Sequence, residues 1–404
     1  MPATVPSLYL TLTLCYKPDS TRNKALNPTP PTHASFPIVA YDDQNERFAN
    51  AFRILDDAIA ARAFPGASVA LTHEGKLVAL RTFGRFTYDP GSPKPSPRTL
   101  FDLASLTKVI ATTPMAMILY QRGLLDLDLP VISMVGEFSG EDPRRDEVTL
   151  RMLLAHSSGL PAYEKLFLRA HTREQLLAAA FSTPLAHDPG AHAEYSDIGF
   201  IVLGVALERL ADESLDRFCQ REIFGPIGMT HTTFNPAPEL RPTIPPTADD
   251  RAFRHRIIQG EVQDENASVL GGTAGHAGIF STADDVATFA HTILRGGDPI
   301  VRSETLSLFT ARELSPEGTY RALGWDTPSD PSQSGQYFST RSFGHLGYTG
   351  TSLWIDPERE LSVTLLTNRT WPDSSNQAIK QIRPCFHDAI MEALKLKTTQ
   401  RVTG

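Results

Sequence analysis

Residues 101–108 read Phe101-Asp102-Leu103-Ala104-Ser105-Leu106-Thr107-Lys108, and a long apolar run follows them. On a helix, residues three apart share a face, so the Ser105 hydroxyl and the Lys108 amine can meet. A serine is a weak nucleophile at its own pKa and needs a neighbouring base. A lysine becomes that base only where burial or a nearby cation depresses its pKa. A helix start also leaves its first N–H groups free, and that of Ser105 is placed to stabilise an oxyanion. Ser105 is thus a candidate nucleophile with Lys108 beside it. By composition a chain of this kind holds a Ser-x-x-Lys by chance about half the time. A helix-capping serine ahead of a surface lysine would look the same. No other lysine in the chain has a serine three positions before it. Pro114 is expected to kink the helix that follows.

Outward from this stretch, Glu46 to Arg62 has helical periodicity through Phe48, Phe52, Leu55 and Ile59, and Pro65-Gly66 stops it. Ala67 to Leu71 and Lys76 to Phe83 read as strands joined by His73-Glu74-Gly75. From Ser105 to about Met229 the pattern is mainly helical, with an apolar helix at Ile198 to Leu210. Five prolines between residues 235 and 262 (Pro236, Pro238, Pro242, Pro245 and Pro246) predict a long loop or lid there. Helix returns at Ala283 to Leu294. Strands follow at Thr351 to Ile355 and Leu361 to Thr367, then an amphipathic helix from Asn376 to Leu394.

Strands at both ends predict an α+β fold: an antiparallel sheet flanked by terminal helices, with a helical domain inserted. Residues 43–104 and 283–396 would form the sheet domain and 105–282 the helical one. Residues 1–42 include a Pro-, Thr- and Asn-rich extension expected to lack order, and 397–404 a short tail.

Composition narrows the partners. The chain has 404 residues and a formal net charge of −8, and its basic residues are scattered, which argues against nucleic acid. No apolar run approaches the roughly 20 residues of a membrane helix. Cys15, Cys219 and Cys385 lie far apart and predict neither a disulfide framework nor a metal site. Leu8 to Cys15 is mildly apolar but lacks a preceding Lys or Arg, which favours the cytoplasm over the periplasm. The 12 histidines show no His-Glu-x-x-His spacing, and no phosphate loop or dinucleotide fingerprint is present, so neither metal nor organic cofactor is expected.

Two further elements give the Ser-Lys pair its context. Glu194-Tyr195-Ser196-Asp197 precedes the helix at Ile198, and Gly344-His345-Leu346-Gly347-Tyr348-Thr349-Gly350 leads into the strand at Thr351. With Leu154-Ala155-His156-Ser157-Ser158-Gly159-Leu160-Pro161, these motifs resemble the class C β-lactamase, DD-peptidase and esterase superfamily over about residues 45–396. The resemblance implies a β-lactamase/transpeptidase-like fold and a serine hydrolase that works through an acyl-enzyme. It makes Ser105 the nucleophile, Lys108 its partner, Tyr195 the proton shuttle, and the N–H groups of Ser105 and Tyr348 the oxyanion hole.

Near Lys108 the Tyr195 phenol is expected to fall in pKa and act as the working base. Asp197 stands where the family has Asn and is expected to hold Lys108 more firmly protonated than an amide would. His345-Leu346-Gly347 stands where β-lactamases carry Lys-Thr-Gly, which disfavours efficient β-lactam hydrolysis. His345, Gly347 and Asp197 are expected to bind substrate. The stretch from Asp264-Glu265-Asn266-Ala267 to Gly271-Gly272-Thr273-Ala274-Gly275-His276-Ala277-Gly278 resembles a branch of N-acetylmuramyl-L-alanine amidases. It offers His276 and Asp264 as substrate contacts, while His156 reads as structural. The expected function is cleavage of an amide or ester in a small molecule or peptidoglycan fragment. The alternatives are a carboxylesterase, a weak β-lactamase, or a non-hydrolytic penicillin-binding sensor.

Overall fold

The computed structural model describes residues 41–396. Most of the expected N-terminal extension, with Leu8–Cys15, and the tail at 397–404 lie outside the described residues. In chain order the strands are β1 (Gly66–His73), β2 (Lys76–Gly84), β3 (Phe101–Asp102), β4 (Thr233–Phe234), β5 (Pro246–Asp250), β6 (Arg256–Gln259), β7 (Ile279–Ser281), β8 (Phe343–Leu346), β9 (Ser352–Asp356) and β10 (Leu361–Thr367).

Five of them form one sheet in the order β2-β1-β10-β9-β8, antiparallel throughout. The two ends of the chain therefore meet at its centre, where Ala67 pairs with Thr367 and His73 with Leu361. β1 and β10 are buried almost end to end. That is why both read as near-continuous apolar runs, because each face of the sheet is covered. Helices Ala49–Ala60 and Ile379–Ala393 pack on each other and share a core of Phe52, Leu55, Val69, Val363, Phe386 and Ile390 with one face. Helix Ala283–Leu294 lies against β1 and β10, and its Val286, Ala287 and Ala290 belong to a second core that continues into the helical part of the chain. The fold is α+β.

The Pro-rich stretch differs from its expectation. Pro238–Thr243 forms a 3-10 helix, and β5 and β6 form a hairpin. That hairpin is fastened to the end of β10: Asn368 Nδ2 donates to Pro246 O at 2.9 Å, and the Asp249 N–H donates to Pro372 O at 2.8 Å. Pro238 opens the 3-10 turn and Pro246 opens β5, two starts at which a proline is tolerated. Among the described residues no helix is long and apolar enough to cross a membrane, and no group of three or more His, Cys, Asp or Glu is placed to hold a metal ion.

Candidate active site

Ser105 stands on a tight 3-10 turn, Ala104–Leu106, that leaves it half-buried between two buried neighbours. Asp102 builds this turn. Its carboxylate accepts the Ala104 N–H at 2.8 Å and the Gln263 N–H at 2.6 Å. Burial nonetheless pushes the Asp102 carboxyl up to about 6. Ala104 is held at φ +48°, a left-handed conformation that non-glycine residues seldom adopt and that recurs where function requires it. Lys108–Thr112 then form a π-helical turn, and the regular helix runs from Thr113 to Gln121. Pro114 lies in the first turn of that α-helix, directly after the π-helical turn, where no α-helical hydrogen bond is lost for want of its N–H.

Four side chains converge. Ser105 Oγ lies 2.7 Å from Tyr195 Oη and 3.1 Å from Lys108 Nζ. Lys108 Nζ also donates to Tyr195 Oη at 2.6 Å, to Asp197 Oδ1 at 2.6 Å and to His276 O at 3.1 Å. The Tyr195 hydroxyl donates to the same Asp197 oxygen at 2.9 Å. Burial lowers the Lys108 pKa, and the Asp197 carboxylate opposes it without reversing it. Tyr195 moves the other way. Burial, reinforced by the Asp197 charge, raises its phenol well above the ordinary value, and the hydrogen bond from Ser105 only partly offsets this. The expectation of a depressed Tyr195 is thus reversed in direction, because desolvation penalises the phenolate, whereas at Lys108 the Asp197 charge acts in the expected sense against the larger effect of burial.

The segment after Gly347 is bolted to the nucleophile turn. Thr349 Oγ1 donates to Asp102 O at 2.8 Å and Thr351 Oγ1 to Leu103 O at 3.0 Å. A Cβ on Gly347 would collide with both Leu103 O and the Thr351 hydroxyl, so only glycine permits this approach. Among the described residues, neither the Ser105 N–H nor the Tyr348 N–H donates a hydrogen bond. The segment that carries the Tyr348 N–H is thus held against the turn that carries the Ser105 N–H.

Other expected contacts are placed differently. Asp197 Oδ1 is taken up by Lys108 and Tyr195, so this oxygen supports the site from within. His345 is 2% exposed, bonds through Nδ1 to Leu346 O at 2.7 Å, and is driven well below the usual imidazole pKa by burial and by Lys108. It is neutral, and therefore no substitute for a permanent cation. His276 is 1% exposed and its Nε2 meets Asp264 Oδ1 at 2.8 Å. It touches the reactive group through its backbone carbonyl, and not as an imidazole substrate contact.

Sequence reasoning left two residues aside. His156, read as structural, accepts the Ser196 N–H on Nδ1 at 3.0 Å, and its ring lies 4.8 Å from that of Tyr195. It therefore orients the phenol. Arg321, whose guanidinium carbon lies 5.7 Å from the Tyr195 ring centroid, has no motif around it that could have flagged it.

Comparison with known proteins agrees with this geometry. The Beta-lactamase family profile matches residues 51–383. The chain is 30% identical over 346 residues to the N-acetylmuramyl-L-alanine amidase of Bacillus subtilis (strain 168), covering 76% of this chain and 78% of that protein. Its fold superposes on EstCE1, a hydrolase with promiscuous acyltransferase activity, with a TM-score of 0.71 at 20% identity, covering 86% of this chain and 99% of that one. The octameric penicillin-binding protein homologue from Pyrococcus abyssi gives a TM-score of 0.67 at 20% identity, over 85% of this chain and 77% of that one. With its profile match spanning most of the sequence, this chain belongs to the Beta-lactamase family and has its transpeptidase-like α+β fold.

Proposed function

We propose that this member of a serine-hydrolase family cleaves an amide through an acyl-enzyme on Ser105, with N-acylated amino acids of the muramyl-amino-acid type as the substrate class. The observation that carries the reading is the unbroken chain from Ser105 Oγ to Tyr195 Oη at 2.7 Å and on to Lys108 Nζ at 2.6 Å. Lys108 is the member of this chain pushed towards its deprotonated form, the neutral amine. In that form its lone pair accepts the Tyr195 proton while Tyr195 accepts the proton of Ser105. Ser105 Oγ then bonds to the substrate carbonyl carbon, and the oxyanion lies against the Ser105 and Tyr348 N–H groups. Collapse breaks the C–N bond as Tyr195 returns a proton to the departing amine, leaving an ester on Ser105. Water attacks that ester, loses its proton through the same relay, and releases the carboxylate with the free serine.

A relative 30% identical and named for N-acetylmuramyl-L-alanine supports the amide class. One observation favours an ester-cleaving alternative. The strand beside the site presents the neutral His345 and then Leu346, so it offers neither a cation nor a hydroxyl to a β-lactam carboxylate. The discriminating experiment compares N-acetylmuramyl-L-alanine, short-chain p-nitrophenyl esters and a chromogenic cephalosporin, with Ser105→Ala as the control. Amide turnover that disappears in Ser105→Ala is the expected result. Turnover of esters alone overturns the amide reading, and turnover surviving Ser105→Ala overturns the mechanism.

A further inference from the structure

The four partners of Lys108 Nζ differ in kind. Asp197 Oδ1 and the His276 carbonyl can only accept, whereas Ser105 Oγ and Tyr195 Oη can also donate. A neutral amine has two N–H groups and one lone pair. With its N–H groups on the two obligate acceptors, the lone pair is left facing the two hydroxyls, where the relay needs it. The His276 carbonyl therefore shares with Asp197 the task of aiming the base.

Regular structure does not hold that carbonyl. The His276–Ala277 peptide lies in a turn closed by the Ala274 N–H on Ala277 O at 3.2 Å, with Gly275 before it and Gly278 after it. Among the described residues, neither the His276 N–H nor the Ala277 N–H donates a hydrogen bond. Thr112 Oγ1 fixes the preceding carbonyl, Gly275 O, at 2.6 Å. Beyond that point the peptide is held by Lys108 itself and by the His276 side chain. This imidazole is buried, its Nδ1 has no partner, and its Nε2 lies 2.8 Å from Asp264 Oδ1. Asp264 is set in turn, because the same oxygen caps the short helix Glu265–Val269 by accepting the Ala267 N–H at 2.7 Å. The N–H of the preceding Gln263 goes to Asp102, the carboxylate that builds the Ser105 turn. Two consecutive residues, Gln263 and Asp264, thus tie the turn of the nucleophile to the carbonyl of its base.

We propose that Asp264 and His276 are positioning residues for Lys108, acting through the His276 carbonyl to aim the amine lone pair at Tyr195. The inference rests on the relay of Ser105, Tyr195 and Lys108 described above, and holds equally for an amide and an ester substrate. Among the described residues, neither side chain forms a hydrogen bond with Ser105 or Tyr195, so both act at one remove. Without the carboxylate the imidazole loses its one anchor, and the carbonyl is free to turn with its peptide. The amine then turns about its Cε–Nζ bond, and its lone pair leaves the line to Tyr195 Oη.

The test reads Ser105 directly. A fluorophosphonate forms a P–O bond with Ser105 Oγ and loses fluoride while the hydroxyl proton leaves through Tyr195, so its labelling rate reports the relay whatever the substrate. The rate constant kinact and the probe affinity KI are measured for the wild type, Asp264→Ala, Asp264→Asn, His276→Leu and His276→Gln. The double variant Asp264→Ala/His276→Leu is added, with Lys108→Ala and Tyr195→Phe as controls, and melting curves establish that each is folded at the assay temperature. In Asp264→Ala and in His276→Leu, kinact should fall by about 10- to 100-fold, since a misplacement of about 1 Å costs up to about 100-fold. KI should stay within about twofold. Asp264→Asn keeps an acceptor and His276→Gln keeps a donor, so each should recover part of kinact. The double variant should lose no more than the worse single one, because the two residues act in series. Asp264→Ala also removes a helix cap, and if it fails to fold, the contrast between His276→Leu and His276→Gln decides. Wild-type kinact in folded Asp264→Ala and His276→Leu, with labelling abolished in Lys108→Ala, overturns the positioning role and leaves the relay standing. A loss shared between kinact and KI that neither Asn nor Gln relieves overturns it too, because the pair then only supports the fold. Labelling that survives Lys108→Ala unchanged overturns the relay and the proposal with it.

Discussion

One carboxylate oxygen of Asp197 serves two partners, Lys108 Nζ at 2.6 Å and Tyr195 Oη at 2.9 Å. Its charge favours the ammonium form of the first and disfavours the phenolate of the second, so it raises both pKa values. An activity that needs a deprotonated base therefore rises with pH along a limb that Asp197 holds at higher pH than burial alone would set. Asp197→Asn should move this limb of the kcat/KM profile towards acid, because both groups lose a raising influence together. A limb that stays in place, or moves towards alkali, would count against Lys108 and Tyr195 as the relay. Tyr195→Phe removes the bridge itself. Its kcat should fall by about 10²- to 10⁴-fold, the usual worth of a positioned proton-transfer group. Deacylation should suffer more than acylation, because water needs the relay most. Mass spectrometry of a quenched reaction should then show an acyl group on Ser105, and a variant that accumulates none contradicts that order of effects.

Between Tyr195 and Asp197, Ser196 does structural work for an entire element. It caps helix Asp197–Ala211, accepting the Gly199 N–H at 2.9 Å, and its hydroxyl donates to Pro161 O at 2.7 Å. It is 1% exposed, so no water replaces either bond. Ser196→Ala should destabilise the fold by about 2–4 kcal/mol, the sum of a lost cap and an orphaned buried carbonyl. Urea unfolding measures this, and a loss below about 0.5 kcal/mol would show that the cap is dispensable. Elements of this kind were legible because their signals are local. The periodicity of Phe48, Phe52 and Leu55, the apolar runs of β1 and β10, and the spacing from Ser105 to Lys108 can each be read within a few residues. The β5–β6 hairpin was not, because its anchors at Asn368 and Pro372 are more than a hundred residues away and its prolines mimic a loop. Arg321 was hidden for the same reason, since only the closed fold brings it to Tyr195. The pKa directions depended on burial, which residue spacing does not report.

At the scale of the molecule, the two ends of the chain close the sheet, and the last helix reaches back to the site. Arg383, on helix Ile379–Ala393, is 4% exposed and donates to Gly347 O at 3.0 Å, Thr351 O at 2.9 Å and Gly350 O at 3.3 Å. These carbonyls belong to the turn that carries the Tyr348 N–H, so this helix fixes the segment proposed to supply the second oxyanion donor. The sheet edge alone cannot do so: β8 is its outermost strand, and the chain leaves regular pairing after Leu346. Arg383→Met keeps most of the apolar stem while removing the donors, and should cost about 2–4 kcal/mol through carbonyls left short of partners. Activity should fall by more than instability explains. Displacing an oxyanion donor costs up to about 10²- to 10³-fold in kcat, so the loss should persist well below the melting temperature, where the variant is fully folded. Arg383→Lys should recover part of the stability and less of the activity, because one ammonium cannot span three carbonyls in the fork geometry. A folded Arg383→Met enzyme with wild-type kcat would show that Thr349 and Thr351 hold the turn unaided, and would reduce Arg383 to a packing role.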